Sequence, residues 1–166
     1  MAFRFAVLTV SDRGFRGERV DTSGPAIREL LTGIGGVPVA EALVPDEGEQ
    51  IQAQIRRWCD AGEADVVLTT GGTGLSPRDV TADATRAVLD YEAPGIAEAM
   101  RAEGMRHTPM AMLSRAVAGV RNRVLVINLP GSERSVRENL PVLLPVIQHA
   151  VDTLRGGERD HAPGGV

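Results

Sequence analysis

The stretch from Asp65 to Thr81 constrains this chain more than any other part of it. It reads Asp-Val-Val-Leu, then Thr69-Thr70-Gly71-Gly72-Thr73-Gly74, then Leu75-Ser76-Pro77-Arg78-Asp79-Val80-Thr81. Val66–Leu68 is a short apolar run ending in glycines, which is the pattern of a buried strand. Glycines at a strand end let the backbone close on a ligand, and successive N–H groups can form a concave anion site. Thr81 is placed to cap a helix from Ala82, with Asp83 in its first turn. The predicted unit is a strand, a glycine-rich phosphate-type loop carrying Arg78 and Asp79, and a helix. A glycine turn among solvated charges would read the same at first sight. The hydroxyls, the arginine and the aspartate gathered in one loop favour a site.

The 166 residues suit one domain with a substantial core, read as 1–155, followed by a Gly/Pro-rich polar tail over 156–166. A formal charge of −4 argues against a nucleic-acid or anionic-membrane surface. With aromatic content of only 3%, base-stacking platforms are also disfavoured. The single cysteine, Cys59, excludes an internal disulfide and is read as a buried inert thiol. No signal-peptide pattern opens the chain, and no apolar run approaches the ~20 residues of a membrane helix, so the protein is read as cytoplasmic. All 18 basic residues are arginine. That removes the Walker A lysine and Schiff-base chemistry, and leaves backbone N–H, hydroxyls, arginine or a metal to hold any phosphate. A genomic composition effect accounts for the arginine bias equally well.

Phe3–Val10 reads as the first strand, followed by the polar loop Ser11-Asp12-Arg13-Gly14. Asp21-Thr22-Ser23-Gly24-Pro25 supplies cap residues for a helix that stops near Gly33. Val37–Val44 is the second strand, and Pro45-Asp46-Glu47 precedes a helix over Gln50–Cys59. At this level capping is the default explanation for Ser11, Asp12, Asp21, Ser23, Asp46 and Glu47. A helix is predicted over Ala82–Tyr91 and another through Ile96, Met100 and Met105; their apolar positions suit core packing or a subunit interface. His107 lacks a partner at ligand spacing and is read as a loop residue. Ala116–Val120 and Arg123–Asn128 predict a hairpin about a tight turn, adding an antiparallel strand to the sheet. Ser132 is poised to cap the next helix, which Pro141 and Pro145 must kink or restart before Leu154.

Strands alternating with helices imply a three-layer α/β/α sandwich around a mostly parallel mixed sheet. In such sheets, ligands bind beyond the carboxyl ends of strands where the order reverses. Four loops lie at such ends: Ser11–Gly14, Pro45–Glu47, Thr70–Asp79 and Pro130–Ser132. Together they offer glycine backbone, hydroxyls, arginines and the carboxylates Asp12, Asp46 and Asp79. Amides and hydroxyls suit phosphate, and paired acids suit Mg²⁺ bridging phosphate oxygens. The residues alone therefore describe a binder of a phosphorylated ligand, with phosphoryl or nucleotidyl transfer as the reaction class.

Thr69–Gly74 followed by Arg78-Asp79-Val80-Thr81, then Met112-Leu113-Ser114-Arg115 and Asn128-Leu129-Pro130-Gly131, resembles the molybdopterin adenylyltransferase family of molybdenum-cofactor biosynthesis. Ser11-Asp12-Arg13, Asp21 with Ser23-Gly24, and Pro45-Asp46-Glu47 resemble its N-terminal signatures. The resemblance runs in order from Phe5 to Arg155. It implies a homotrimer and the Mg²⁺-dependent reaction of molybdopterin with ATP, giving adenylyl-molybdopterin and pyrophosphate. Asp46 and Asp79 match the catalytic, metal-holding acids. Thr70, Gly71, Gly72, Thr73 and Gly74 match the pterin and phosphate loop. Ser114 matches a serine near the nucleotide, and Pro130, Gly131 and Ser132 match a second ligand loop. Ser11, Asp12, Arg78 and Arg115 complete the implied binding set, and a molybdenum-insertion protein is the implied partner. A paralogue that binds molybdopterin without adenylating it, as carrier, scaffold or regulator, is the alternative. A dinucleotide-dependent oxidoreductase is disfavoured, because the first strand lacks a following Gly-x-Gly-x-x-Gly.

Overall fold

Apolar, β-forming residues make the first strand, β1 (Arg4–Val10), in which every residue after Arg4 is buried. The computed structural model describes residues 2–156; the remainder of the predicted tail lies outside them. Ser11 ends β1 by accepting from Gly14 N–H, which turns the expected polar loop into a one-turn helix, α1 (Asp12–Phe15). Helix α2 (Ser23–Thr32) follows and stops at Gly33, as its sequence predicts. Strand β2 (Val37–Val44) pairs with β1 in parallel, and α3 (Gly48–Asp60) leads to β3 (Val66–Thr70), which pairs with the other side of β1.

The next helix is shorter than predicted. Helix α4 covers Thr81–Arg86, and Tyr91–Glu92 turns out to be a strand, β4. Pro94 then occupies the first turn of α5 (Pro94–Met105), where a missing N–H costs nothing. The 3₁₀ turn Pro109–Leu113 leads into the hairpin β5 (Ala118–Arg121) and β6 (Val124–Leu129). Its turn residues Asn122 and Arg123 have φ of 47° and 64°, the left-handed pair of a two-residue hairpin turn. Ser132 caps α6 (Glu133–Asn139) through Ser135 N–H, and the prolines restart the helix as α7 (Leu144–Leu154).

The sheet runs β2-β1-β3-β6-β5-β4; the first four strands are parallel, and β5 is antiparallel to both its neighbours. Alternate residues along each strand face opposite layers. Phe5, Val7, Leu68 and Ile127 pack with α2, α5, α6 and α7, while Leu8, Val67 and Val126 pack with α3 and α4. The predicted three-layer sandwich with a mostly parallel mixed sheet is what forms. Cys59 lies in the second layer, and burial pushes its thiol up to about 12. Between layers, Asn128 is fully buried: Nδ2 donates to Thr69 Oγ1 (2.9 Å) and Thr85 Oγ1 (3.0 Å), and Oδ1 accepts from Val117 N (3.2 Å). That network clamps α4 to the sheet. No helix among the described residues is long and apolar enough to cross a membrane.

Candidate active site

The chain leaves β1 toward β2 on one side and returns through α3 to β3 on the other, so the order reverses between β1 and β3. A polar cavity of about 380 Å³ opens at their carboxyl ends. Predicted residues Ser11, Asp12 and Asp46 line one wall; Thr70, Gly71, Gly72 and Asp79 line another; Gly131 and Ser132 close the third.

Backbone holds these walls together. Gly71 (φ 101°) and Gly72 (φ 68°) occupy the left-handed region, and Gly71 N–H donates to Leu129 O at 3.2 Å. Thr70 Oγ1 donates to Pro130 O at 2.6 Å. A Cβ on Gly131 would lie 3.2 Å from Gly71 Cα, so the two glycine loops are in backbone contact.

Asp12 and Asp46 exchange hydrogen bonds. Asp12 N–H donates to Asp46 Oδ2 (2.8 Å), and Asp46 N–H donates to Asp12 Oδ1 (3.0 Å). Arg78 then grips Asp12 with two nitrogens (both 3.0 Å) and reaches Glu47 Oε1 at 3.0 Å. The Arg78 guanidinium, and after it the Asp46 N–H, holds the Asp12 carboxyl below the usual carboxylate range. Asp46 goes the other way: burial raises it first, and the charges of Asp12 and Asp79 add to that. Unlike acids in one crevice give one fixed anion and one that is expensive to keep charged.

An ionised Asp46 with a raised pKa opposes folding at neutral pH, and that penalty fades as pH falls through its folded pKa toward the ordinary 3.8. Asp46→Asn should therefore melt above wild type at pH 7, because Asn can still accept from Asp12 N–H. The gap should close as pH drops to the carboxylate range. Paired melting curves at both pH values check this, and a variant that melts lower at pH 7 contradicts it.

The second group of predicted residues lies next door. Thr73, Gly74, Ser114 and Pro130 line an apolar cavity of about 230 Å³ under α5 and the 3₁₀ turn. Ser114 Oγ accepts from Ala116 N (3.3 Å), and Arg101 supports the segment through Ser114 O and Ala116 O.

Arg78 and Arg115 line neither of these cavities. Arg115 spans the glycine loop instead: its N–H donates to Thr73 O (2.8 Å), Nε to Gly74 O (3.1 Å) and Nη2 to Asp79 O (2.7 Å). Arg13 and Arg19 do line the polar cavity, with no ion pair to a carboxylate among the described residues. Asp21, read from its motif as a capping residue and part of an N-terminal signature, lines the polar cavity too. There it accepts from Thr9 Oγ1 (2.7 Å), Ser23 Oγ (3.2 Å) and Gly24 N (3.0 Å). The Asp-x-Ser-Gly cap pattern was its signal.

Fold and site define a class: a doubly wound α/β protein with a glycine-walled, acid-lined crevice at its switch point. Residues 6–149 match the family model described as probable molybdopterin binding domain, and the chain belongs to that family. The molybdopterin adenylyltransferase of Helicobacter pylori strain J99 is 41% identical over 152 residues, covering 90% of this chain and 86% of the relative. The molybdenum cofactor synthesis protein cinnamon of Drosophila melanogaster is 42% identical over 148 residues, and there the match spans 89% of this chain but 25% of the relative. Among solved structures, the molybdopterin biosynthesis enzyme MoaB from Thermus thermophilus is 55% identical, with a TM-score of 0.88 over 93% of this chain and 97% of that one. The family is the one that the sequence motifs resembled.

Proposed function

We propose that this protein is a molybdopterin adenylyltransferase that joins AMP from ATP to the phosphate of molybdopterin and releases pyrophosphate. The observation that carries the reading is the pair of adjoining cavities sharing the Gly71–Gly74 loop, one polar and acid-lined, the other apolar. The polar cavity suits a triphosphate, the apolar one a flat heterocycle, and the loop between them suits the reacting phosphates. The relatives named adenylyltransferase agree with it.

Catalysis of such a transfer is mostly positioning and charge stabilisation. A phosphate oxygen of molybdopterin forms a bond to the α-phosphorus of ATP, and the α–β bridging oxygen leaves with pyrophosphate. The loop amides of Gly72 and Thr73 orient the phosphates, and Arg13 and Arg19 neutralise the departing charge. Arg115 and Arg78 hold the loop and Asp12 in place for that work.

The donor set also fits Mg²⁺ in a particular way. No cluster of three or more His, Cys, Asp or Glu side chains suited to a metal ion occurs among the described residues. Mg²⁺ is typically held by one or two carboxylates plus substrate phosphates, and Asp46 and Asp79 supply two hard oxygen donors. Bound there, the ion would offset phosphate charge.

The test is direct: incubate the protein with molybdopterin, ATP and Mg²⁺, and look for the adenylylated pterin. Pterin binding without product would instead identify a carrier or scaffold. The reading also carries a cytoplasmic homotrimer that passes its product to a molybdenum-insertion protein, with α5 as a candidate interface. Light scattering should give three times the 17.6 kDa chain mass at micromolar concentration, and a monomer mass rules the trimer out.

A further inference from the structure

Beneath the glycine loop sits a polar group with nothing to bind. Thr81 is 0% exposed, and its Oγ1 has no hydrogen-bond partner among the described residues. Such a group is rare in a folded protein and calls for an explanation. The expected capping role is not that explanation, since Thr81 is the first residue inside α4 and Val80 precedes it as the cap. Its backbone N–H donates to Gly72 O at 3.1 Å, which seats the side chain under the loop.

Where the hydroxyl aims is fixed by Gly72. A Cβ at that position would collide with Thr81 Oγ1 and lie 3.3 Å from Asp46 Oδ1. Hydroxyl and carboxylate therefore face the same gap, which exists because residue 72 has no side chain. Asp46 Oδ2 is engaged by Asp12 N–H, whereas Oδ1 has no donor among the described residues.

We propose that Thr81 is a positioning residue for the transfer reaction, its hydroxyl donating to Asp46 Oδ1 directly or through one water seated against Gly72. With Asp12 N–H on one oxygen and the Thr81 hydroxyl on the other, the carboxylate plane is locked and its remaining lone pairs face the cavity. Thr81 touches no substrate; it acts through Asp46. The inference rests on the adenylyl-transfer reading for its kinetic consequence, but not for its geometry.

Thr81→Val keeps the shape and removes the hydroxyl. It should still fold, melting no more than a few degrees below wild type, because the loss of one hydrogen bond is partly offset by the added buried methyl group. Misorienting one catalytic carboxylate should lower kcat by about 10-fold, with KM for ATP and for molybdopterin within about twofold of wild type. Thr81→Ser should recover most of that rate. A crystal structure of the ligand-free wild type should place Oγ1 within about 3.2 Å of Asp46 Oδ1, or show one water bonded to both. A wild-type rate in Thr81→Val overturns the proposal. So does a Thr81→Ser rate as low as that of the Val variant, or density with the two groups apart and no water between them. If wild type makes no adenylylated pterin, the functional reading fails, and the crystallographic distance alone decides the pairing.

Discussion

Asp79→Asn should slow adenylyl transfer about 10²- to 10³-fold while molybdopterin affinity stays near wild type, the loss of roughly 3–4 kcal/mol that follows removal of one preorganised charge contact. The structure makes this substitution a clean one. Asp79 Oδ2 accepts from Ser76 N–H at 3.0 Å, a bond an Asn carbonyl can replace, and Arg115 pins the Asp79 carbonyl at 2.7 Å. Backbone position therefore survives while the charge goes. Molybdopterin should still bind, because amides and hydroxyls rather than a carboxylate grip an anionic phosphate. Single-turnover adenylylation and equilibrium pterin binding on the same variant decide the matter. Unchanged turnover would make Asp79 a turn residue, and abolished pterin binding would assign it to the other substrate.

The largest effect on stability should come from a single methyl group. Gly71→Ala drives its Cβ into Val10 O, at a φ of 101° that an L-residue avoids. The obstacle is the main chain of β1, so no rotamer change relieves it. Left-handed strain of ~1–2 kcal/mol and overpacking of ~1–3 kcal/mol together amount to roughly 2–5 kcal/mol. At about 2–4 °C per kcal/mol for a domain of this size, the melting temperature should fall by roughly 5–20 °C. Gly48→Ala is the control: its Cβ would meet nothing within 4 Å, in the first turn of α3. Thermal unfolding of both variants checks the pair, and a Gly71→Ala protein as stable as wild type would mean that the loop can move away from β1.

Much of this molecule is legible in its sequence, for local reasons. The strands β1, β3 and β6 are buried on both faces and so read as near-continuous apolar runs, interrupted only by Thr9, Thr69, Thr70 and Asn128 after Arg4. Ser132 reads as a cap because capping depends on a residue three positions away. What failed to read is what distant residues decide. Tyr91–Glu92 carries no strand pattern; it becomes β4 because Asp90 N–H and Ala93 N–H find Val120 O and Ala118 O, each at 2.8 Å. Thr81 looked like a cap, but the bond from its N–H to Gly72 O draws it inside. Arg78 and Arg115 belong to the right loops, yet their guanidinium groups are committed to Asp12, Glu47, Asp83 and loop carbonyls. No spacing rule reveals a partner 66 residues away.

The exchange between Asp12 and Asp46, and the grip of Arg78 on Asp12, have a kinetic consequence. They span 34 and 66 residues, so the chain must close two long loops before the acid wall exists. The wall also needs β1 between β2 and β3, a non-local parallel arrangement that forms slowly compared with helices. No fragment holding fewer than those three strands can contain the crevice. Recovery of ligand binding during refolding should therefore trail helix formation and coincide with completion of the sheet.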